Sequence, residues 1–144
     1  MILSRSATYG FRAVLYLSLH SEKEERFGVK AIAKELGLPE SYLGKVLQNL
    51  VRKGIISSAK GPRGGFFIKE KNLSRTVIEI VEAIDGLEQF SSCGLGLNEC
   101  SDEKPCPIHK EYGALRDGLF NLLSQKTIND FKKDIVEGKA IISL

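Results

Sequence analysis

The stretch VKAIAKELGLPESYLGKVLQNLVRKG, residues 29–54, predicts two short amphipathic helices joined at a glycine. The first helix carries three apolar residues on one face: Ile32, Ala33 and Leu36. Gly37 suits the end of this helix, because glycine takes a left-handed backbone conformation easily. Pro39 opens the second helix, since proline fits a first helical turn. The second helix has a stripe at the i, i+3, i+4, i+7 spacing of a buried face: Leu43, Val46, Leu47 and Leu50. Two such helices are typical of a helix-turn-helix.

The next residues, IISSAKGPRGGFFIK (55–69), predict a β-hairpin. Two short strands, 55–59 and 66–68, flank the turn KGPRGG, whose glycines can take positive φ. Lys60 and Arg63 place two cations at the tip. A solvated hairpin is the simpler interpretation of such a tip by itself. Behind a helix-turn-helix, however, a basic hairpin predicts the wing of a winged-helix DNA-binding protein.

Helices are also predicted on both sides of this motif. Apolar periodicity indicates a helix over residues 6–20, and Thr76 with Glu79 forms a capping box for a helix over 76–85. Another helix is expected from about residue 108, and Thr127 caps a short final one. The predicted fold is therefore mainly α, with a small β-hairpin wing and a long helix near the C-terminus. We divide the chain into a DNA-binding domain, 1–72, and a second part, 73–144.

Charge is distributed unevenly along the 144 residues, whose formal net charge is +3. Residues 1–72 carry 13 Lys and Arg against 6 Asp and Glu, whereas residues 73–144 carry 8 against 12. A basic first half suits a polyanion such as double-stranded DNA, although a solvated surface has the same composition. The apolar stretches are too short to span a bilayer, and the start of the chain lacks the zones of a signal peptide. We therefore expect a cytoplasmic protein without a membrane partner.

The second helix of the motif and the wing supply the candidate DNA contacts. Side chains outside the buried stripe can donate to phosphates or base edges near the start of that helix, and an arginine at a hairpin tip can enter a minor groove. The residues expected to contact DNA are Ser41, Tyr42, Lys45, Gln48, Lys60, Arg63 and Gly64.

All three cysteines lie in one loop, residues 87–107, with a histidine just after it. This segment supplies four soft or borderline ligands: Cys93, Cys100, Cys106 and His109. In a reducing cytosol such ligands select zinc or an iron–sulfur cluster. The cysteines could instead form a thiol-redox switch, or simply pack, and His109 could cap a helix. A cysteine nucleophile with His109 as base is the enzymatic alternative. The sequence offers that pair no third partner or substrate motif, so we do not expect an enzyme.

Four pieces of the chain together resemble the Rrf2 family of bacterial winged-helix regulators. They are SRSATYGFRAVLYL (4–17), SYL (41–43), KGPRGGF (60–66) and the three-cysteine loop. The resemblance implies that the three cysteines, with His109 as fourth ligand, hold a 2Fe–2S or 4Fe–4S cluster. It predicts a regulator whose operator affinity the cluster sets, as a sensor of nitric oxide, redox state or iron–sulfur status. A zinc-stabilised or cofactor-free thiol-switch regulator is the alternative.

The resemblance also implies a homodimer whose long helix near the C-terminus crosses its partner. An apolar seam with alternating spacings of four and three suits that role, and packing within one chain is its alternative. The seam consists of Ile108, Tyr112, Leu115, Leu119 and Leu122.

Overall fold

The structure, a computed structural model, describes residues 3–143 and confirms a helical fold with a β-hairpin. The helices and strands are α1 (Arg5–Ser18), α2 (Val29–Leu36), α3 (Glu40–Arg52), β1 (Ser57–Ala59), β2 (Gly65–Phe67), α4 (Val77–Asp85), α5 (His109–Gln125) and α6 (Ile128–Val136). Short 3-10 turns occupy Ser21–Lys23, Glu70–Ser74 and Glu88–Phe90. None of the helices described has the length and apolar character needed to cross a membrane.

The helix-turn-helix forms as its sequence predicts. Gly37 ends α2 with φ of 64°, in the left-handed region. Pro39 is the N-cap of α3 and thus lies one residue before the predicted first turn. All four residues of the α3 stripe are buried in the main core, against α1 and α2. The opposite face of α3 is consequently left outside the core.

The first wing strand is shorter than predicted, and the second lies one residue earlier than predicted. Ser57 pairs with Phe67 and Ala59 with Gly65 in an antiparallel register, while Ile55, Ile56 and Ile68 are buried. Two glycines close the tip tightly. A Cβ on Gly64 would lie 2.2 Å from Ala59 O, and one on Gly65 would lie 2.7 Å from the Phe27 backbone. The hairpin tip therefore depends on residues without side chains.

Helices α4 and α6 pack on the core of the DNA-binding motif. Ile80 and Ile128 belong to the same buried cluster as α1 and α3. The predicted capping box of Thr76 and Glu79 is present, and Thr127 caps α6 as expected. The division of the chain at residue 72 stays a prediction, since the core draws residues from both sides of it.

Helices α4 and α5 form an antiparallel pair that the cysteine loop connects. Val77 at the start of α4 and Leu123 near the end of α5 share a second, smaller core. The Val77 N–H donates to the Lys126 carbonyl at 3.0 Å, which ties the far end of α5 to the start of α4. The loop therefore leaves the carboxyl end of α4 and enters the amino end of α5.

Candidate metal centre and nucleic-acid interface

Tight turns shape the cysteine loop. The Glu88–Phe90 turn opens it, and the Gly96 N–H then donates to the Cys93 carbonyl at 3.0 Å. At its end the His109 N–H donates to the Cys106 carbonyl at 3.1 Å. These turns direct the three cysteine side chains toward one point.

The three thiols form a compact cluster. Their sulfur atoms all lie within 4.8 Å of one another, and Cys93 Sγ is 3.7 Å from Cys106 Sγ. Cys106 is buried, whereas Cys93 and Cys100 are half-buried. All three line a cavity of about 300 Å³. The tertiary structure thus brings together the residues that the sequence singled out.

His109 lies beside this cluster, and a carboxylate contacts the ring nitrogen that faces away from the thiols. Its Nδ1 is 3.1 Å from Cys100 Sγ, and its Nε2 is 2.9 Å from Asp102 Oδ1. A carboxylate on the outer nitrogen of a histidine fixes the tautomer and the ring orientation, as it does for metal-ligating histidines. The Asp102 side chain is fully exposed to solvent apart from this contact, and its spacing to His109 carries no recognisable sequence signal.

The local electrostatics separate two of the thiols. Backbone hydrogen bonds from Leu97 and Leu95 lower the pKa of Cys93 to about 7. The Cys106 backbone also tends to lower the pKa of Cys100. Burial and the two neighbouring thiols outweigh that effect and raise it. Of these two thiols, Cys93 therefore forms the thiolate more easily at neutral pH.

The donor set fits a thiophilic metal group. Two thiolates on one tetrahedral ion lie about 3.8 Å apart when the metal–sulfur bond is about 2.3 Å. The distance from Cys93 Sγ to Cys106 Sγ matches that spacing. Three thiolates and an imidazole can hold either zinc or an iron–sulfur cluster.

Helix α5 packs directly against the loop through Tyr112. A Cβ on Gly94 would lie 2.8 Å from Cγ of the Tyr112 ring, so the absent side chain permits this contact. Tyr112 also lines the cavity with the thiols. The prediction placed Tyr112 in a dimer seam. Within one chain its ring packs on the cysteine loop, and its role in a dimer stays a prediction.

The predicted DNA contacts lie mainly on the free face of α3 and at the wing tip. Six of them are exposed: Ser41, Tyr42, Lys45, Gln48, Lys60 and Arg63. Gly64 is half-buried under the tip. The hydroxyl of Tyr42 is 2.6 Å from Ser6 Oγ, and its ring meets Tyr9 edge-on. Helix α1 thus orients Tyr42, and the DNA contacts themselves stay predictions.

A neighbouring polar residue of α3 has a different role. Asn49 Nδ2 donates to the Ala83 carbonyl of α4 at 2.9 Å. Although Asn49 lies outside the apolar stripe, it therefore joins α3 to α4.

The helix-turn-helix and the β-hairpin define a winged-helix fold, with exposed basic residues on α3 and at the hairpin tip. The chain belongs to the Rrf2 family. The model of this family, described as "Rrf2: Iron-dependent Transcriptional regulator", matches residues 3–134. The predicted family is confirmed, and so is the prediction that the chain is not an enzyme, since this family consists of transcriptional regulators.

Known regulators resemble the chain over most of its length. IscR of Escherichia coli O1:K1 / APEC is 28% identical over 130 residues, which cover 90% of this chain and 79% of that protein. The fold is similar to that of CymR, the global cysteine regulator of B. subtilis, with a TM-score of 0.74 and 21% identity over 91% of this chain and 95% of CymR. It is also similar to that of T. potens IscR, with a TM-score of 0.71 and 22% identity over 96% and 91% of the two chains.

Proposed function

We propose that this chain acts as a homodimeric regulator whose affinity for its operator is set by an iron–sulfur cluster. The observation that carries the proposal is the convergence of three thiols within 4.8 Å, with His109 Nδ1 at 3.1 Å from Cys100 Sγ. Cys93, Cys100, Cys106 and His109 would hold the group. When bound, it would supply a centre that changes with redox state, nitric oxide or iron supply.

The DNA-reading surface would consist of the exposed face of α3 and the wing. Ser41 and Lys45 lie in the first half of α3, where a recognition helix contacts base edges in the major groove. Arg63 at the exposed wing tip suits the adjacent minor groove, where the negative potential is strongest. The formal charge of residues 1–72 supports this orientation toward DNA.

The exposed face of α5 supports the homodimer. Of its 17 residues only Leu123 is buried within the described chain. Leu115 is 74% exposed and Leu122 is 50% exposed, seven residues apart on one face. A helix with so little burial gains most of its stability from an additional partner surface. A second copy of α5 would cover these leucines.

Helix α4 offers a physical connection from the loop to the DNA-reading helix. The loop begins directly after α4, and the Ala83 carbonyl near the end of α4 accepts the Asn49 hydrogen bond from α3. Ile84 packs so closely on α1 that a Cβ on Gly10 would lie 2.4 Å from its Cδ1. Ordering of the loop can therefore change the angle at which α3 is held. Two recognition helices must lie about 34 Å apart to occupy successive major grooves, so a small change of angle alters affinity.

The test begins with protein purified without oxygen. We expect iron and acid-labile sulfide together with visible absorption, and operator affinity that differs between holo-protein, apo-protein and the Cys93→Ala variant. The exposed Gln125→Ala variant is the control and should behave as the parent protein. Equal affinity in all forms would refute the gating. Zinc without iron in colourless protein would favour the zinc-stabilised alternative.

A cofactor-free thiol switch is the second candidate, and one distance favours it. Cys93 Sγ and Cys106 Sγ are 3.7 Å apart, so a small rotation would bring them to bonding distance. Loss of two hydrogens from the pair to a mild oxidant such as a disulfide would join them. Mass spectrometry of protein from metal-free medium should then find a Cys93–Cys106 disulfide and altered operator affinity. An unchanged affinity of the oxidised form would exclude this mechanism.

A further inference from the structure

Three residues on one face of α5 contact the cysteine loop, and sequence reasoning gave only the first a role there. His109, Tyr112 and Arg116 follow each other at intervals of three and four, so their side chains point in the same direction. All three line the cavity that contains the thiols. His109 lies against Cys100, and Tyr112 packs on Gly94. The third contact belongs to Arg116.

Arg116 holds the backbone immediately before Cys93. Its Nη1 donates to the Ser92 carbonyl at 2.9 Å, and its side chain is only 23% exposed. Arg116 Nε is buried and makes no hydrogen bond within residues 3–143, with Asp117 Oδ1 at 3.6 Å as a neighbouring carboxylate oxygen. Most of the Arg116 side chain is buried, although α5 is mostly exposed. This burial indicates a specific role in the loop.

Hydrogen bonds therefore hold both the N–H and the carbonyl of Ser92. Its N–H donates to the Glu88 carbonyl at 3.0 Å, while its carbonyl accepts from Arg116. After Cys93, the turn closed by the Gly96 N–H begins. The direction of the Cys93 side chain is therefore determined by a short segment anchored at each end. Without Arg116 the upstream anchor rests on the Glu88 turn alone.

We propose that Arg116 is a positioning residue of the thiol site, which orients Cys93 by holding the Ser92 carbonyl. The inference rests on the proposed metal-binding role of the three thiols. Because Arg116 acts through the backbone, it binds no metal itself. A charged fork that donates to a carbonyl forms a strong hydrogen bond. Its removal should therefore release Cys93 from the cluster of donors while the other ligands stay in place.

Cobalt(II) added to anaerobic apo-protein tests this inference. Each thiolate bound to the ion contributes sulfur-to-cobalt charge-transfer absorption, so the intensity per ion counts the bound cysteines. The parent protein should show three thiolates. Arg116→Met should resemble Cys93→Ala, with two thiolates and an affinity about tenfold lower, the scale of loss expected for groups that orient ligands. Arg116→Lys keeps a charged donor and should restore the third thiolate in part.

Controls separate positioning from folding and from the proposed function. Arg5→Met makes the same replacement at an exposed position of α1 and should leave the cobalt spectrum unchanged. Thermal unfolding should show that Arg116→Met and Arg116→Lys remain folded. If Arg116→Met unfolds, the decision rests on Arg116→Lys, whose third thiolate should be weakened. Parent-like intensity and affinity in the folded variants would overturn the inference. A parent protein with three cobalt-bound thiolates but no iron–sulfur cluster would contradict the proposed function alone.

Discussion

Replacement of Gly94 by alanine should disturb the thiol site without unfolding the protein. The new Cβ would lie 2.8 to 2.9 Å from three ring atoms of Tyr112, whereas ordinary contacts begin near 3.4 Å. The loop must therefore move away from α5 by about 0.6 Å or more, and this movement shifts the neighbouring Cys93. Overpacking of this kind costs about 1–3 kcal/mol. This cost destabilises the loop conformation that binds metal, so cobalt affinity should decrease by about 5- to 150-fold.

The assay is a cobalt(II) titration of anaerobic apo-protein, followed in the charge-transfer region. Gly118→Ala is the matched control, because no atom lies within 4 Å of its new Cβ and alanine suits a helix. A Tyr112→Ala background removes the three ring atoms nearest to the added Cβ, so Gly94→Ala should have little further effect. The reasoning is refuted if Gly94→Ala binds cobalt as the parent does. It is also refuted if the loss persists undiminished without the Tyr112 ring.

Three further predictions concern the wing, α5 and the thiols. Arg63→Ala should reduce the salt dependence of operator binding by about one unit in a plot of log K against log salt, since one phosphate contact is lost. An unchanged slope would show that the tip does not touch DNA. Leu115→Asp should convert a dimer to a monomer in sedimentation experiments, because a charge replaces an apolar contact between copies. A parent-like mass would exclude the exposed face of α5 as the interface. In apo-protein, the alkylation rate of Cys93 should rise through pH 7, since the thiolate is the nucleophile and its pKa is about 7. Cys100, with a raised pKa, should react appreciably only at higher pH, and equal rates at pH 7 by peptide mass spectrometry would contradict this order.

The predicted elements agree with the structure where local patterns are strong. The stripe on α3 forms a buried face, and the Thr76 capping box opens α4, because such features depend on residues within one or two turns. The first wing strand was predicted too long, over 55–59 instead of 57–59, and the second was placed one residue too late, over 66–68 instead of 65–67. Ile55 and Ile68 fit strand positions by residue type, but both lie outside the hairpin ladder and belong to the main core. Local β-preference does not distinguish these two outcomes.

The grouping of the three cysteines and His109 was predictable from the sequence, whereas the residues around them were not. Three cysteines and His109 in one short segment indicate thiol chemistry from composition alone. Asp102 and Arg116 are ordinary charged residues by sequence, and most such residues are solvated. Their roles arise because the turns of the loop bring Asp102 to His109 and because α5 passes beneath Ser92. Tyr112 fits an apolar seam by spacing, yet its contact with Gly94 places it in the thiol site.

The sequence by itself determined the local elements, the basic first half and the set of candidate soft ligands, because these depend on residue type and on spacing along one helix or loop. Only the tertiary structure decided which charged groups meet those ligands, which leucines of α5 stay exposed, and how α4 joins the thiol loop to α3. Such contacts join residues far apart in the chain, as Arg116 with Ser92 or Asn49 with Ala83. They follow from the packing of whole helices, which no short window of sequence specifies.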